Sequence, residues 1–193
     1  LVQAVERAGI IVEGLVLQPL ASGEAVLTPE ERHTGVVLLD IGGGTSDIAV
    51  FRNGTLVYSA ALPVGGYQFT NDLAIRFNTS YENAEHVKLK YGHAAPEVAE
   101  LFQEVDMQLY ENGSTMRVDQ RDICQVLKER AQEILHLTSL KLEQVDLSEV
   151  MRNRLVLTGG SAKLPGLADL ARRTISARAR IGLPLEPQGL PQK

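Results

Sequence analysis

Tryptophan is absent from this chain of 193 residues, cysteine occurs once, and aromatic residues make up only 5% of it. The lone Cys124 excludes an internal disulfide and suits a reducing cytoplasm. With so few rings, Val, Leu, Ile and Ala must fill the interior. The 44% hydrophobic content suffices for one domain or two small lobes. No apolar run approaches the roughly 18 residues of a membrane span, and no signal peptide is visible. Lys and Arg number 19 against 24 Asp and Glu, a formal charge of −5. Such a chain lacks the excess of basic groups that neutralises phosphates, so broad nucleic-acid binding is not expected. His33, His86, His93 and His136 are scattered and form no metal set. There is no internal repeat.

What is present is a series of short apolar runs punctuated by glycine. Val2, Val5 and Ala8 before Gly9 predict the end of an amphipathic helix. Because that helix is entered in its middle and Leu1 is not Met, a piece of a longer protein is expected. Ile10 to Leu17 is apolar and partly β-branched and predicts a strand. Leu20 to Leu27 predicts a helix, and Thr28 with Pro29 caps the next. Val36 to Leu39 predicts a buried strand ending at Asp40, Thr45 to Phe51 a second, and Thr55 to Leu62 a third across the Asn53-Gly54 hairpin. Phe69, Leu73, Ala74 and Phe77 have helical spacing, and Ser80 and Gly92 bracket another helix. Ala94 to Glu97 reads as a linker. Val105 to Tyr110 and Thr115 to Val118 flank a second hairpin at Asn112-Gly113. Asp119 caps a long helix with an apolar stripe running from Ile123, Val126 and Leu127 to Leu142. Arg154 to Leu157 predicts a buried strand, Leu164-Pro165-Gly166 opens a last helix, and Ala177 to Ile181 predicts an edge strand. The tail from Leu183 is proline-rich.

Two glycine-rich turns carry the chemistry. Asp40-Ile41-Gly42-Gly43-Gly44-Thr45-Ser46-Asp47 joins two strands. Its glycines let backbone approach a ligand, consecutive amides form an anion-binding concavity, and Asp40 can hold a hydrated magnesium ion or orient a water. Three glycines in a meander also suit a tight turn with no ligand. Thr158-Gly159-Gly160-Ser161 follows a buried strand and precedes a helix, a junction where amides and the helix dipole face a ligand. It is neither a Walker A loop nor a dinucleotide fingerprint.

The two turns in this order, roughly a hundred residues apart, resemble a known superfamily. Val37 to Phe51, VLLDIGGGTSDIAVF, resembles the second phosphate hairpin of the actin, sugar-kinase and heat-shock-chaperone superfamily, and Leu155 to Leu167, LVLTGGSAKLPGL, resembles its adenosine motif. Within it, LVQAVERAGI with LASGEAVLTPEERHTG, AALPVGGYQFTNDLAIRF and AEHVKLKYGHA resemble the FtsA family of bacterial cell-division proteins. Coverage extends to about Ile181.

The resemblance implies an α/β fold: the second domain of an actin-like, ribonuclease H-like ATPase, a mixed sheet with flanking helices plus a smaller α+β subdomain. Residues 1–34 would be the trailing segment of the first domain with the crossover helix. Residues 35–65 and 151–185 would form the large subdomain, 66–150 the smaller one and 186–193 an irregular tail. By the same resemblance, Gly42, Gly43, Gly44 and Thr45 would bind the β- and γ-phosphates of ATP, and Asp40 would hold Mg2+ through water. Glu85 and Lys88, on one helix face, would reach the ribose, although such a pair is also ordinary on a solvated surface. Gly159, Gly160, Ser161 and Lys163 would line the adenosine.

The family's first phosphate hairpin and most of its inserted subdomain have no counterpart here, so half a cleft is expected, with weak ATP binding and negligible hydrolysis. In the family, ATP promotes self-association into filaments that gather other division proteins, and the FtsZ C-terminal peptide docks on the smaller subdomain, here sought near Arg121 and then Arg130. A terminal amphipathic helix, with no matching stripe in this sequence, holds the family's proteins at the inner face of the cell membrane at the division site. The alternatives are a PilM-type pilus assembly protein and a sugar kinase or chaperone ATPase of the same superfamily.

Overall fold

The computed structural model describes residues 1–97, 103–109, 114–176 and 178–184. In chain order the elements are helices Val2–Arg7 (α1), Gln18–Val26 (α2) and Pro29–Thr34 (α3), then strands Val36–Ile41 (β1), Ser46–Arg52 (β2) and Thr55–Leu62 (β3). Helices Gly66–Arg76 (α4) and Tyr81–Tyr91 (α5) follow, then strands Glu104–Gln108 (β4) and Thr115–Asp119 (β5). Helices Gln120–Glu143 (α6) and Ser148–Asn153 (α7), strand Leu155–Thr158 (β6), a 3-10 turn at Ser161–Lys163, helix Leu167–Thr174 (α8) and strand Arg180–Ile181 (β7) complete the chain.

The central strand is β1, apolar at all but one position and buried on both faces. It pairs antiparallel with β2, which returns into β3 through Asn53 and Gly54, both at positive φ as a two-residue hairpin requires. Its other edge pairs parallel with β6, and β6 with β7, giving the order β3-β2-β1-β6-β7. Alternation along the strands sorts side chains to two cores. Val36, Leu38, Ala49, Phe51 and Val156 face α2, where Val26 and Leu27 cover them. Val37, Leu39, Ile48, Val50, Leu155 and Leu157 face the larger core, built with Phe69 and Leu73 of α4, α6, and Leu167 and Leu170 of α8.

Long α6 buries Ile123, Leu127, Ala131, Ile134, Leu135, Thr138 and Leu142 along one face, as its period predicts, with Val126 partly buried beside them. Cys124 lies on that face fully buried. Burial pushes its thiol up to about 11, and its Sγ sits 3.4 Å from the Tyr91 carbonyl oxygen. The β4–β5 hairpin packs Val105, Met107 and Val118 against the same core. Its turn at Asn112-Gly113 lies outside the described residues. No helix among the described residues is long and apolar enough to cross a membrane.

Three local expectations differ from what is found. Ile10 to Leu17 forms no strand, and Ile11 and Val16 are 87% and 74% exposed. β-branched residues favour a strand only where a neighbouring edge can pair, and no described strand lies alongside. The expected edge strand from Ala177 shrinks to β7, with Ala177 itself outside the described residues. Helix α7 went unforeseen because its buried Val150 and Met151 are adjacent and show no period.

The short β7 is held by charge as well as by its ladder. Arg180 donates from Nε and Nη2 to the two carboxylate oxygens of Glu31, at 2.8 and 2.6 Å, and from Nη2 to the Val26 carbonyl at 2.9 Å. Glu31 also closes the capping box of α3, accepting from the Thr28 amide at 2.9 Å while the Thr28 hydroxyl accepts from the Glu31 amide.

Candidate functional site

The parallel pairing of β1 with β6 decides where the two glycine turns go. Asp40 lies opposite Thr158 in the ladder, so both strands end at the same edge and both turns leave it together. Ser161 Oγ then donates to the Gly42 carbonyl at 2.9 Å, joining residues 119 apart in the chain. A third glycine pair, Gly65-Gly66, closes the cluster at the start of α4. The Gly66 amide donates to the Gly42 carbonyl and the Tyr67 amide to the Gly43 carbonyl, at 2.9 and 2.6 Å. The packing is backbone on backbone. A Cβ on Gly65 would stand 2.8 Å from the Gly42 oxygen, and one on Gly159 would stand 2.5 Å from both Asp40 Oδ1 and the Ile41 oxygen. Gly159 also has φ +88°, a conformation few other residues adopt.

Above this cluster opens a pocket of about 630 Å³. Gly43, Gly44 and Gly66 form one wall, and Gly160, Ser161 and Lys163 a second. Helix α5 supplies the third through Tyr81, Glu85, Lys88 and Leu89, one helical face. The Gly42 amide is spent inside its own turn on the Thr45 carbonyl, at 2.9 Å. The amides of Gly43 and Gly44 have no hydrogen-bond partner among the described residues. The second turn runs into a 3-10 turn, and α8 starts only at Leu167, so no helix dipole points from Gly160 into the pocket as the sequence had suggested.

Glu85 and Lys88 form more than a surface pair. Lys88 Nζ donates to Glu85 Oε2 at 2.6 Å and to the buried Thr70 hydroxyl at 2.8 Å, and that hydroxyl donates to Glu85. Burial of the Glu85 carboxyl opposes its ionisation, but the hydrogen bonds from Lys88 and Thr70 and the Lys88 charge outweigh it and hold the carboxyl below the usual carboxylate range. A lowered folded-state value means the folded form resists protonation. The stability from this network is therefore complete above about pH 4.5 and is lost as pH falls through the folded value. Glu85→Gln is expected to lower stability at neutral pH by about 1 kcal/mol, a discounted figure because the Glu85 side chain is 34% exposed, and the difference should shrink as pH falls below about 4.5 through the folded value. Thermal melts of both proteins across that range check it.

Asp40, near the end of β1, is not among the residues lining the pocket; it accepts from Ser22 Oγ at 2.7 Å and stands opposite Asp47 in the ladder. Burial, and then the charge of Asp40, pushes the Asp47 carboxyl up. Thr45 is exposed on the first turn, outside the pocket lining, and Gly42 and Gly159 lie beneath the floor. No group of three or more His, Cys, Asp and Glu side chains among the described residues is arranged to hold a metal ion. Arg121 and Arg130 sit on α6 away from the pocket. Arg130 is gripped by Asp72, through bonds of 2.7 and 2.9 Å, and by Glu133. Sequence reading missed Thr70 and the stacked rings of Tyr67 and Tyr81, with centroids 5.2 Å apart. The spacing of Tyr81, Glu85 and Lys88 on α5 was the available clue.

Comparison with known proteins places this architecture. Solved structures sharing the fold include MreB5 of Spiroplasma citri bound to ADP, with a TM-score of 0.75 and 21% identity over 94% of this chain and 59% of that one. A PilM-PilN type IV pilus biogenesis complex aligns with a TM-score of 0.63 and 25% identity, over 92% of this chain and 45% of that one. The fold is that of the actin-like ATPases. The Cell division protein FtsA of Bacillus subtilis (strain 168) is 36% identical over 95% of this chain and 42% of its own length. That of Escherichia coli (strain K12) is 35% identical over 98% of this chain and 47% of its own length, so the chain spans a little under half of these relatives. A family model described as Cell division protein FtsA matches residues 37–191, and the chain belongs to that family.

Proposed function

We propose that this chain is the nucleotide-binding half of an actin-like cell-division scaffold, taking ATP in the pocket between its glycine turns. The convergence of the turns after Asp40 and Thr158 on one open pocket carries the reading. Gly43 and Gly44 offer amides to phosphate oxygens. Glu85 faces the sugar, and the wall of Gly160, Ser161 and Lys163 faces the adenosine. MreB5 of Spiroplasma citri, which shares the fold, has been solved with ADP and with AMPPNP. Asp40 stands opposite Asp47 in the ladder, and burial together with the Asp40 charge pushes the Asp47 carboxyl up, so a magnesium ion held by Asp40 through water would relieve that repulsion. That ion would neutralise phosphate charge.

In the whole protein, the proposed roles are ATP-dependent self-association, assembly of other division proteins, docking of the FtsZ C-terminal peptide within residues 66–150, and attachment at the inner face of the membrane by a terminal helix. An acidic peptide at Arg130 would have to compete with Asp72 and Glu133. Hydrolysis is slow at most. Calorimetric titration with Mg-ATP tests the central claim. Weak saturable binding is expected, weakened about tenfold by Glu85→Ala, the loss of roughly one charge-assisted hydrogen bond. An absence of binding by the unaltered chain at millimolar ATP would overturn the reading.

A further inference from the structure

We infer that Thr70 is a positioning residue for sugar recognition: its buried hydroxyl, held between Glu85 and Lys88, bonds Glu85 Oε2 and so orients the carboxylate with Oε1 open to a ligand's hydroxyl groups. The inference rests on the ATP reading and deepens it.

Thr70 is fully buried on α4, and its hydroxyl has one proton to give. Lys88 Nζ donates to Thr70 Oγ1 at 2.8 Å, so the oxygen is used as an acceptor and its proton is left for Glu85 Oε2. The Gly66 carbonyl, at 3.3 Å, is the poorer acceptor. Lys88 has three protons, and three acceptors meet it: Glu85 Oε2 at 2.6 Å, Thr70 Oγ1 at 2.8 Å and the Gly66 carbonyl at 3.4 Å. Its ammonium is thus committed inward, and only 15% of the Lys88 side chain is exposed.

Both donors to Glu85 converge on Oε2. Oε1 has no hydrogen-bond partner among the described residues, while Glu85 lines the pocket. A bare carboxylate oxygen repels phosphate and accepts from hydroxyls. The pair at i and i+3 by itself would be a mobile, weakly coupled contact. The Thr70 hydroxyl closes it into a three-way ring spanning α4 and α5. The Gly66 end of α4 is itself bonded to the Gly42 carbonyl of the first glycine turn, so the ring is anchored to the phosphate wall. The two residues assigned to the ribose therefore divide the work: Glu85 contacts, while Lys88 and Thr70 hold it.

The test compares the unaltered chain with Thr70→Val, which keeps the shape and removes the hydroxyl, and Thr70→Ser, which keeps the hydroxyl. Calorimetry gives the affinity of each for ATP and for 2′-deoxy-ATP, and carbon NMR follows the Glu85 carboxyl through an acid titration. The unaltered chain should prefer ATP over the deoxy form by about tenfold, the worth of one hydrogen bond to a charged group. In Thr70→Val the preference should fall to about twofold and Glu85 should titrate at higher pH, while Thr70→Ser should retain both properties. Equal loss of both nucleotides in Thr70→Val, or no change in preference and titration, would overturn the positioning role and leave ATP binding standing. If the unaltered chain binds neither nucleotide, the ATP reading falls and this inference with it. Thermal melts of the variants, with Thr70→Ser as the folded reference, separate misfolding from lost recognition.

Discussion

Gly159→Val is expected to destabilise the protein by about 3 kcal/mol and to abolish nucleotide binding. Two effects combine. At φ +88° a β-branched residue suffers strain of about 1–2 kcal/mol. Its Cβ would also stand 2.5 Å from Asp40 Oδ1 and from the Ile41 carbonyl oxygen. Overpacking of this kind costs about 1–3 kcal/mol, and here the neighbour that must yield is backbone of the central strand. Relief requires the second turn to lift from the first, which breaks the Ser161–Gly42 bond and separates the two walls of the pocket. Urea denaturation measures the first part and ATP titration the second. A shift below about 1 kcal/mol would show that the turns are not packed as described. Gly160→Ala is the control for the stability measurement alone, since a Cβ there meets no protein atom within 4 Å.

Arg180→Ala is expected to cost about 2–3 kcal/mol, less than a fully enclosed pair would, because 34% of the Arg180 side chain remains exposed against 11% for Glu31. The loss exceeds the value of the contact itself. Without the guanidinium, Glu31 stays buried with a charge, with the Thr28 amide as its hydrogen-bond donor and the weaker Arg154 charge as its positive neighbour. The Val26 carbonyl loses its partner as well. The pH dependence gives a second signature. Burial opposes ionisation of Glu31, and the bonds from Arg180 and Thr28 together with the nearby positive charges more than reverse this, lowering its value. The stabilisation is therefore complete above about pH 4.5 and disappears as pH falls through the folded value. Chemical denaturation from pH 7 downward should show the largest difference between the two proteins at pH 7 and a narrowing one as pH falls below about 4.5 through the folded value. Adding Glu31→Gln to Arg180→Ala should recover part of the loss at pH 7, because it removes the uncompensated charge.

Much of the local structure was legible because each piece carries its own cause. Val36 to Leu39 has no polar residue and must be central, Asn53-Gly54 takes the two positive φ angles of its hairpin, and α6 has a helical stripe and an Asp119 cap. Ile10 to Leu17 misled because its residue types describe a strand, whereas strand formation depends on an edge elsewhere. The glycine turns were legible as candidates. Their meeting was not, because it follows from the parallel pairing of β1 with β6, a contact no local window contains. The resemblance to a family supplied that step. Thr70 was illegible for a related reason: it reads as an ordinary helix residue until α5 is laid across α4 and places Glu85 and Lys88 around its hydroxyl.

The same pairing has a consequence for biosynthesis. One wall of the pocket, the turn holding Gly42, is made early in this sequence, and the Ser161 that latches onto it comes 119 residues later. While the chain is still emerging from the ribosome, β1 has its hairpin partner on one side and a bare apolar edge on the other, the side where β6 must finally dock. A nascent chain arrested before Leu155 would hold the first glycine turn without its opposite jaw, and would leave that edge open to pairing with a neighbour.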